Sequence, residues 1–582
     1  MQARLNPTAI LLLALLVALL AAPFLLTVAG DGQVHLAIAE NFARGRPFQY
    51  NPTGEIVVAS TSPFWTLLLT AFYWLAGDGA PALLKVANGL AWLGTAVFLR
   101  RAAREAWGFA PNLVAATLLL WLGHTTIVAN ALGGLENVLS ALQLTWLYAL
   151  TARYGRELTP RRSAALGLLL GWALLTRPDG GLFALVLLAV YGLALLLPAE
   201  EEGTQIHPDK QRFRKLHHLF KPGFFTRLRA LAPQAAIMGA AALLVLLPWY
   251  AYQFGVTGKL VTDSSVARLY NGRQGALMLI PGHLYLHPKA LISLATAFLP
   301  LSLGALITLF TLFTRPSPPR PLAPSPLITH YSPLILLLTG LLFYTFVVGA
   351  EAFGRYFLPL YPFLFLTGVA GLRRAYDWLR PRSRLLAGGL VAAAVLFMAG
   401  TSLLDAARRL GPGRFAVEHV LDVVYGPAQR QYFSFNVPEL MRAPGERAAR
   451  TDELLVTLGV PDAARVRLAV TEVQIRYYLD ERVEVLSLDG RTSAAILPFV
   501  DSRSGAPDFG RYFLAERPDF VHVNQWCAVG GWLATFLPAT IEENLVCAWE
   551  LRARDMDIGD AFTWAGRRVT LVAPEIVQIA WD

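Results

Sequence analysis

The sequence predicts a polytopic α-helical membrane protein with a soluble α/β domain at its C-terminal end. Three observations carry this reading. Apolar residues make up 55% of the 582 and charged residues only 15%, against roughly 25% charged in an ordinary soluble protein. Long apolar runs recur as far as about residue 405, at lengths suited to spanning helices. Beyond that point the composition becomes ordinary, and short β-branched runs alternate with polar and helical stretches. The chain thus divides into a membrane portion, 1–405, and a soluble domain, 406–582.

Apolar runs occupy 9–29, 63–76, 82–99, 113–129, 135–150, 163–176, 181–198, 231–250, 290–314, 333–349, 357–372 and 385–404. The first exceeds the apolar stretch of a signal peptide and lacks a small-residue cleavage site before Asp31, so it reads as a retained helix entering with Arg4 inside. Loop charge selects among the short runs. With 63–76 lying at the interface rather than crossing, the basic clusters 100–104, 153–162, 210–229, 315–320 and 373–384 all fall on the inner side, as the positive-inside rule requires. The short 163–176 run then crosses, its ends extended by Arg162 and Arg177. About eleven spanning helices result, with the soluble domain outside.

This topology collects the first loop (30–80), the 251–288 loop and the turns at 132–136, 177–180 and 351–355 on the outer face. The inner loops carry little chemistry. The 199–230 loop is basic, and its His207, His217 and His218 read as solvated rather than metal-binding. The 315–326 stretch is a Pro-rich linker. The formal charge of +10 follows from basic inner loops facing anionic lipid. No zinc spacing or RNA-binding signature accompanies it, which excludes a nucleic-acid partner.

In the soluble domain, Val466–Val470, Val483–Leu488, Phe520–Val523 and Val569–Val572 predict strands, and Glu446–Leu458 predicts a helix. No phosphate-binding glycine loop or nucleophile elbow is present. Both cysteines, Cys527 and Cys547, lie here. They allow one bridge in an oxidising compartment, not a disulfide framework.

The most informative segment is the first loop. Asp31 follows the first apolar run directly. An amphipathic helix comes next, with Val34, Leu36, Ile38, Ala39 and Phe42 set against His35, Glu40, Asn41 and Arg44. Such a helix suits a loop lying along the membrane surface. The turn Asn51-Pro52-Thr53-Gly54 and a Thr61-Ser62-Pro63 helix entry complete the loop.

The stretch AENFARGRPFQYNPTGEIVVASTSPFW resembles the corresponding loop of GT-C polyprenyl-phosphate-dependent glycosyltransferases, especially bacterial arabinofuranosyltransferase-like and mannosyltransferase-like membrane proteins. GGLEN (133–137), LLTRPDG (174–180), LPWYAYQFGVTGKLVTDSS (247–265) and GRYFLPLYP (354–362) extend the resemblance over most of 1–405, and RLAVTEVQIRYYLDERVEVLSLDG (467–490) carries it into the soluble domain. Many relatives have two adjacent acidic residues after the first helix, where this chain has Asp31 followed by Gly32. The resemblance implies a GT-C-like bundle in a bacterial cell membrane, with the soluble domain extracytoplasmic. It implies inverting transfer of a hexose or pentose from a polyprenyl-phosphate sugar to a glycan, lipid or protein hydroxyl. A divalent cation is left open, and no other cofactor is implied.

That chemistry needs a carboxylate to take the acceptor's proton and cations or oriented donors for the phosphate leaving group. Asp31 is the candidate base. Arg177, Arg355, Lys259 and Arg268 are candidate donor-phosphate ligands, and Glu136, His35 and Asp179 candidate supporting residues. Each has a plainer reading. Asp31 and Glu136 suit helix N-termini, Arg177 and Arg355 suit helix-end anchors, and His35 suits the polar face of its helix. Lys259, Arg268 and Tyr270 fit a solvated loop. Tyr50, Trp65, Tyr73 and Trp74 fit an interfacial aromatic belt. Rival functions are transport or flipping of lipid-linked glycans, or a catalytically silent role in envelope assembly. A transporter should show repeated halves or midplane charges, whereas ionisable residues here gather at outer helix ends.

Overall fold

The structure is a computed structural model. It describes residues 24–25, 28, 30–52, 55–197, 222–271, 277–280, 284–286, 298–314, 327–344, 354–410, 438–470, 473–488, 492, 494–500, 507–523 and 545–581. Arg4, most of the 199–230 loop, the 315–326 linker and Cys527 lie outside these residues.

The membrane portion is a helical bundle. Several helices open on proline, as at Pro63, Pro111, Pro160 and Pro178, where the missing N–H is one the helix would leave unpaired anyway. Among the described residues five helices are long and apolar enough to span. The number rises to six if Pro111–Gly123 and Thr125–Ala131, bent by 56° at His124, form one broken span. Most of the first expected run, 9–29, lies outside the described residues, and length and composition do not confirm the eleven spans expected. Several expected runs are shorter helices, such as Leu299–Thr314 and Ser332–Leu342. Small residues bring helices into close contact. A Cβ on Gly371 would lie 1.7 Å from the Gly304 carbonyl oxygen, so Leu299–Thr314 and Tyr361–Leu379 pack backbone to backbone there.

The soluble domain contains a six-stranded mixed sheet. Its strands are β3 (Val466–Val470), β4 (Val483–Ser487), β5 (Phe520–His522), β6 (Ala561–Trp564), β7 (Arg567–Ala573) and β8 (Ile576–Ile579), in the order β4-β3-β5-β8-β7-β6. β1 (Leu277–Ile280) and β2 (Leu284–Leu286) form a separate antiparallel pair within the 251–288 segment. β3 pairs in parallel with β4 and β5, and the remaining pairs are antiparallel. The predicted strands match to within a residue or two, and the predicted helix is Pro438–Thr457. Side chains alternate between two cores. Ala469, Leu486, Val521 and Val577 face Phe513 and Trp549 on helices Phe509–Glu516 and Leu545–Arg554. Cys547 on the latter helix is disulfide-bonded.

The opposite face, bearing Val466, Leu468, Val470, Val483 and Val485, is covered by helix Pro438–Thr457 together with first-loop residues Ala37, Ile38, Tyr50, Val57 and Ala59. The first-loop helix Gly30–Ala43 presents its other side, Leu36 and Ala39, to Trp65 and Leu69 in the bundle core. It was expected on the membrane surface, yet it is sandwiched between the two portions of the chain. Its apolar positions serve two cores, so one apolar stripe was the wrong picture. Helix Pro63–Ala76 runs beside it, with Thr70 Oγ1 donating to the Ala39 carbonyl at 3.4 Å and Trp74 Nε1 to that of Ala43 at 3.1 Å.

Candidate active site

Two helix breaks and the first-loop helix bring most of the candidates together. Pro178 disfavours the helical region for the residue before it. Arg177 is accordingly extended (φ −158°, ψ 136°) between helices Pro160–Thr176 and Pro178–Leu196. Gly134, at φ +91°, takes a conformation costly for other residues and lets the chain turn between Thr125–Leu132 and Asn137–Tyr154. Glu136 sits at that turn. It stands at the N-terminal end of Asn137–Tyr154, where a carboxylate complements the helix dipole, and its side chain makes no capping hydrogen bond to that helix.

Arg177 is the hub of the first cluster. Its Nε and Nη2 donate to Asp179 Oδ1 and Oδ2, each at 2.8 Å, a two-pronged pair matched to guanidinium geometry. Its Nη1 donates to Glu136 Oε1 and Asn137 Oδ1. Asp179 also accepts from Tyr344 Oη at 2.7 Å and from the Gly180 amide at 2.9 Å. Glu136 Oε2 lies 3.5 Å from His35 Nε2, and His35 Nδ1 lies 3.4 Å from Ser60 Oγ.

The second cluster is Asp31 with Arg355, Oδ2 to Nη2 at 2.8 Å. Asn137 Nδ2 donates to the Arg355 carbonyl at 2.9 Å, so Asn137 touches both arginines. Tyr356 joins the clusters through its ring. The Arg177 and Arg355 guanidinium carbons lie 5.3 and 5.2 Å from its centroid, within cation–π range. Arg177, Arg355, Glu136, Asp179 and His35 are all buried, and Asp31 is the partly open member, its side chain 21% exposed. Asp31 and His35 stand four residues apart on one helix, hence on one face.

The site thus sets two guanidiniums against three carboxylates in a largely water-free setting. Such charges are tolerated when each is paired and hydrogen-bonded. The carboxylates are divided between the two arginines rather than pooled. Among the described residues no group of three or more His, Cys, Asp or Glu side chains is placed to hold a metal ion. Position 32 has no room for a second carboxylate. A Cβ there would lie 2.9 Å from the Gly134 carbonyl oxygen and 2.7 Å from Val28 Cγ1.

Lys259 belongs elsewhere. It pairs with Asp263 at 2.8 Å, and Asp263 in turn accepts the Val58 amide at 2.9 Å, tying the first loop to the 251–288 segment. Arg268 and Tyr270 fall on helix Asp263–Asn271, but their side chains lie outside the described residues. Tyr50 and Trp65 are fully buried rather than interfacial. Asn137, Tyr344, Tyr356 and Ser60 were not anticipated as site residues. Asn137 and Tyr356 sit inside the GGLEN and GRYFLPLYP segments, which was the available signal; Tyr344 gives none.

No protein-family model matches the sequence, and comparison with curated proteins finds no match. Solved structures do match. ArnT from Cupriavidus metallidurans bound to undecaprenyl phosphate aligns with a TM-score of 0.52 at 14% identity, covering 88% of this chain and 91% of that one. The same protein in its apo state gives a TM-score of 0.50 at 16% identity, covering 88% and 93%. The Archaeoglobus fulgidus oligosaccharyltransferase in its apo form gives 0.47 at 13%, covering 90% and 70%. Identities this low speak to fold alone. The chain shares the fold of ArnT from Cupriavidus metallidurans.

Proposed function

We propose that this protein is a membrane glycosyltransferase moving a sugar, with inversion, from a polyprenyl-phosphate donor to an acceptor hydroxyl at the outer face of the membrane. The observation that carries the reading is the Asp31–Arg355 pair beside the Arg177 cluster. It supplies a partly open carboxylate and a buried cation at adjoining positions, and sugar transfer from a phosphate needs both.

In this reading Arg355 is shared. It pairs with Asp31, and a donor phosphate competes for the same guanidinium and releases the carboxylate toward the acceptor. The acceptor O–H proton then passes to Asp31 as the new C1–O bond forms. The C1–O bond to phosphate breaks with its electron pair on the phosphate oxygen, which Arg355 stabilises. Arg177 plays a different part. Its Nε, Nη1 and Nη2 donors are engaged with Asp179, Glu136 and Asn137, so it orders the site rather than meeting the donor. The disulfide at Cys547 supports an oxidising, extracytoplasmic location for the soluble domain.

The test is transfer by purified protein in nanodiscs, supplied with synthetic polyprenyl-phosphate hexoses and pentoses and an envelope-glycan acceptor. The expected result is acceptor-dependent release of polyprenyl phosphate from at least one donor. Absence of release across the full donor set would contradict the reading.

A further inference from the structure

The Asn51-Pro52 turn has no part in the chemistry above, yet it makes an unusual contact. β4 is the edge strand of the soluble sheet, and an edge exposes backbone donors and acceptors that seek a partner. Asn51 supplies one. Its Oδ1 accepts the Val485 amide at 2.9 Å, and its Nδ2 donates to the Val485 carbonyl at 3.0 Å. One planar carboxamide, carrying a donor and an acceptor together, replaces the neighbouring strand. Beside it, the Tyr50 hydroxyl donates to the Val473 carbonyl.

A second asparagine continues the connection into the membrane portion. Asn41, on helix Gly30–Ala43, donates through Nδ2 to the carbonyls of Gln49 at 3.1 Å and Tyr50 at 3.0 Å. Asn41, Tyr50 and Asn51 are all buried. The chain of contacts runs from β4 through Asn51 and the Tyr50 backbone to Asn41, and along the helix to His35 and Asp31.

We propose that Asn41 and Asn51 are positioning residues, a latch through which the edge strand of the soluble domain fixes the helix that carries Asp31. The proposal rests on the glycosyl-transfer reading for its effect on rate, but not for its geometry. The soluble domain thereby becomes part of the active-site framework rather than an appendage. A displacement of about 1 Å at a reacting group can lower a rate about 10²-fold, so loss of the latch acts on turnover more than on donor capture. The Arg46–Glu481 pair at the same boundary, 3.4 Å and half-exposed, contributes little because exposed pairs are weak.

The test combines hydrogen exchange with kinetics on the full chain in nanodiscs, comparing Asn51→Ala, Asn41→Ala and the control Arg46→Ala. Exchange in peptides from 30–43 should accelerate about tenfold or more in both asparagine variants, while peptides from 361–379 keep the wild-type rate. The kcat should fall about tenfold or more with donor KM within about twofold, and Arg46→Ala should match wild type. Unchanged exchange at 30–43 in Asn51→Ala would overturn the latch. Equally faster exchange throughout both portions would overturn it too, since that marks general loss of fold. A wild-type protein that transfers no sugar would sink the glycosyl-transfer reading, and the exchange result would still decide the latch.

Discussion

Asp31 and Arg355 meet through a 2.8 Å contact between Oδ2 and Nη2, joining the start of the first-loop helix to the segment that enters Tyr361–Leu379. The arginine is buried and the aspartate partly open.

Removing Arg355 should separate binding from fold. In Arg355→Gln the backbone carbonyl held by Asn137 is retained, while the charge that pairs with Asp31 is lost. Hydrogen bonds to charged groups contribute about 1.5–3 kcal/mol, and each 1.4 kcal/mol corresponds to a factor of about ten. Donor kcat/KM should therefore fall by about one to two orders of magnitude, in steady-state assays with a single polyprenyl-phosphate sugar. Arg355→Lys should recover only part of this, because an ammonium lacks the planar fork.

Arg177 should instead report on stability. Arg177→Ala strands Glu136 and Asp179, both buried, and breaking a buried pair by deleting one partner costs about 3–5 kcal/mol. Thermal unfolding in detergent should show a clear drop in midpoint. Tyr344→Phe, which removes only the hydroxyl donating to Asp179, should lie between that variant and wild type. An unaltered midpoint in Arg177→Ala would mean the cluster is not the organising centre described.

Restoring an acidic pair after the first helix should fail for steric reasons. Gly32→Asp drives a side chain into the Gly134 carbonyl and Val28. The expected outcome is a lower yield of monodisperse protein by size exclusion, not a gain of metal-stimulated activity. A well-folded Gly32→Asp protein would show that the first-helix terminus and the Gly134 turn are less tightly packed than this.

The soluble domain carries a pH dependence of its own. His522 in β5 is buried, and its burial, together with Arg447 and Arg450, pushes the imidazole from an ordinary 6.5 down to about 3. The unfolded chain takes up a proton near pH 6.5 and the native chain does not. Stability from this residue is therefore complete above about pH 6.5 and lost as pH falls toward 3, by up to about 1.4 kcal/mol per unit. Between pH 7 and 5 the melting midpoint of the soluble domain should fall more steeply in wild type than in His522→Gln. Parallel pH profiles for the two proteins would contradict this.

Much of the site was legible because its chemistry is unusual for its setting. Carboxylates are sparse in the membrane portion and most of its arginines fall in a few basic loop clusters, so Asp31, Glu136, Arg177, Asp179 and Arg355 stood out at helix ends away from those clusters. Their pairing was not legible. Nothing in the sequence says that Arg177 takes Asp179 and Glu136 while Arg355 takes Asp31, since that depends on where the helix breaks at Gly134 and Pro178 aim each side chain. Tyr344 escaped notice because one tyrosine in an apolar helix looks like packing. Lys259 drew attention as a cation in an outer loop, although Asp263 at helical spacing was already the simpler partner. Strands of the soluble domain followed from their alternation. The shared core did not, because helix Gly30–Ala43 offers apolar residues on two sides and its second partner lies more than four hundred residues away in sequence.

The most direct measurement is sugar transfer by Asp31→Asn, in nanodiscs, with a donor–acceptor pair that the wild type turns over. The amide preserves size and much of the hydrogen bonding, so folding and the surrounding helix ends should survive. It cannot accept the acceptor's proton, and loss of general-base assistance typically lowers rates by about 10²–10⁴-fold. The expected result is a folded protein, its melting midpoint lowered by loss of the ion pair with Arg355, and turnover reduced by that factor. Turnover close to wild type in well-folded Asp31→Asn would contradict the assignment of Asp31 as the base.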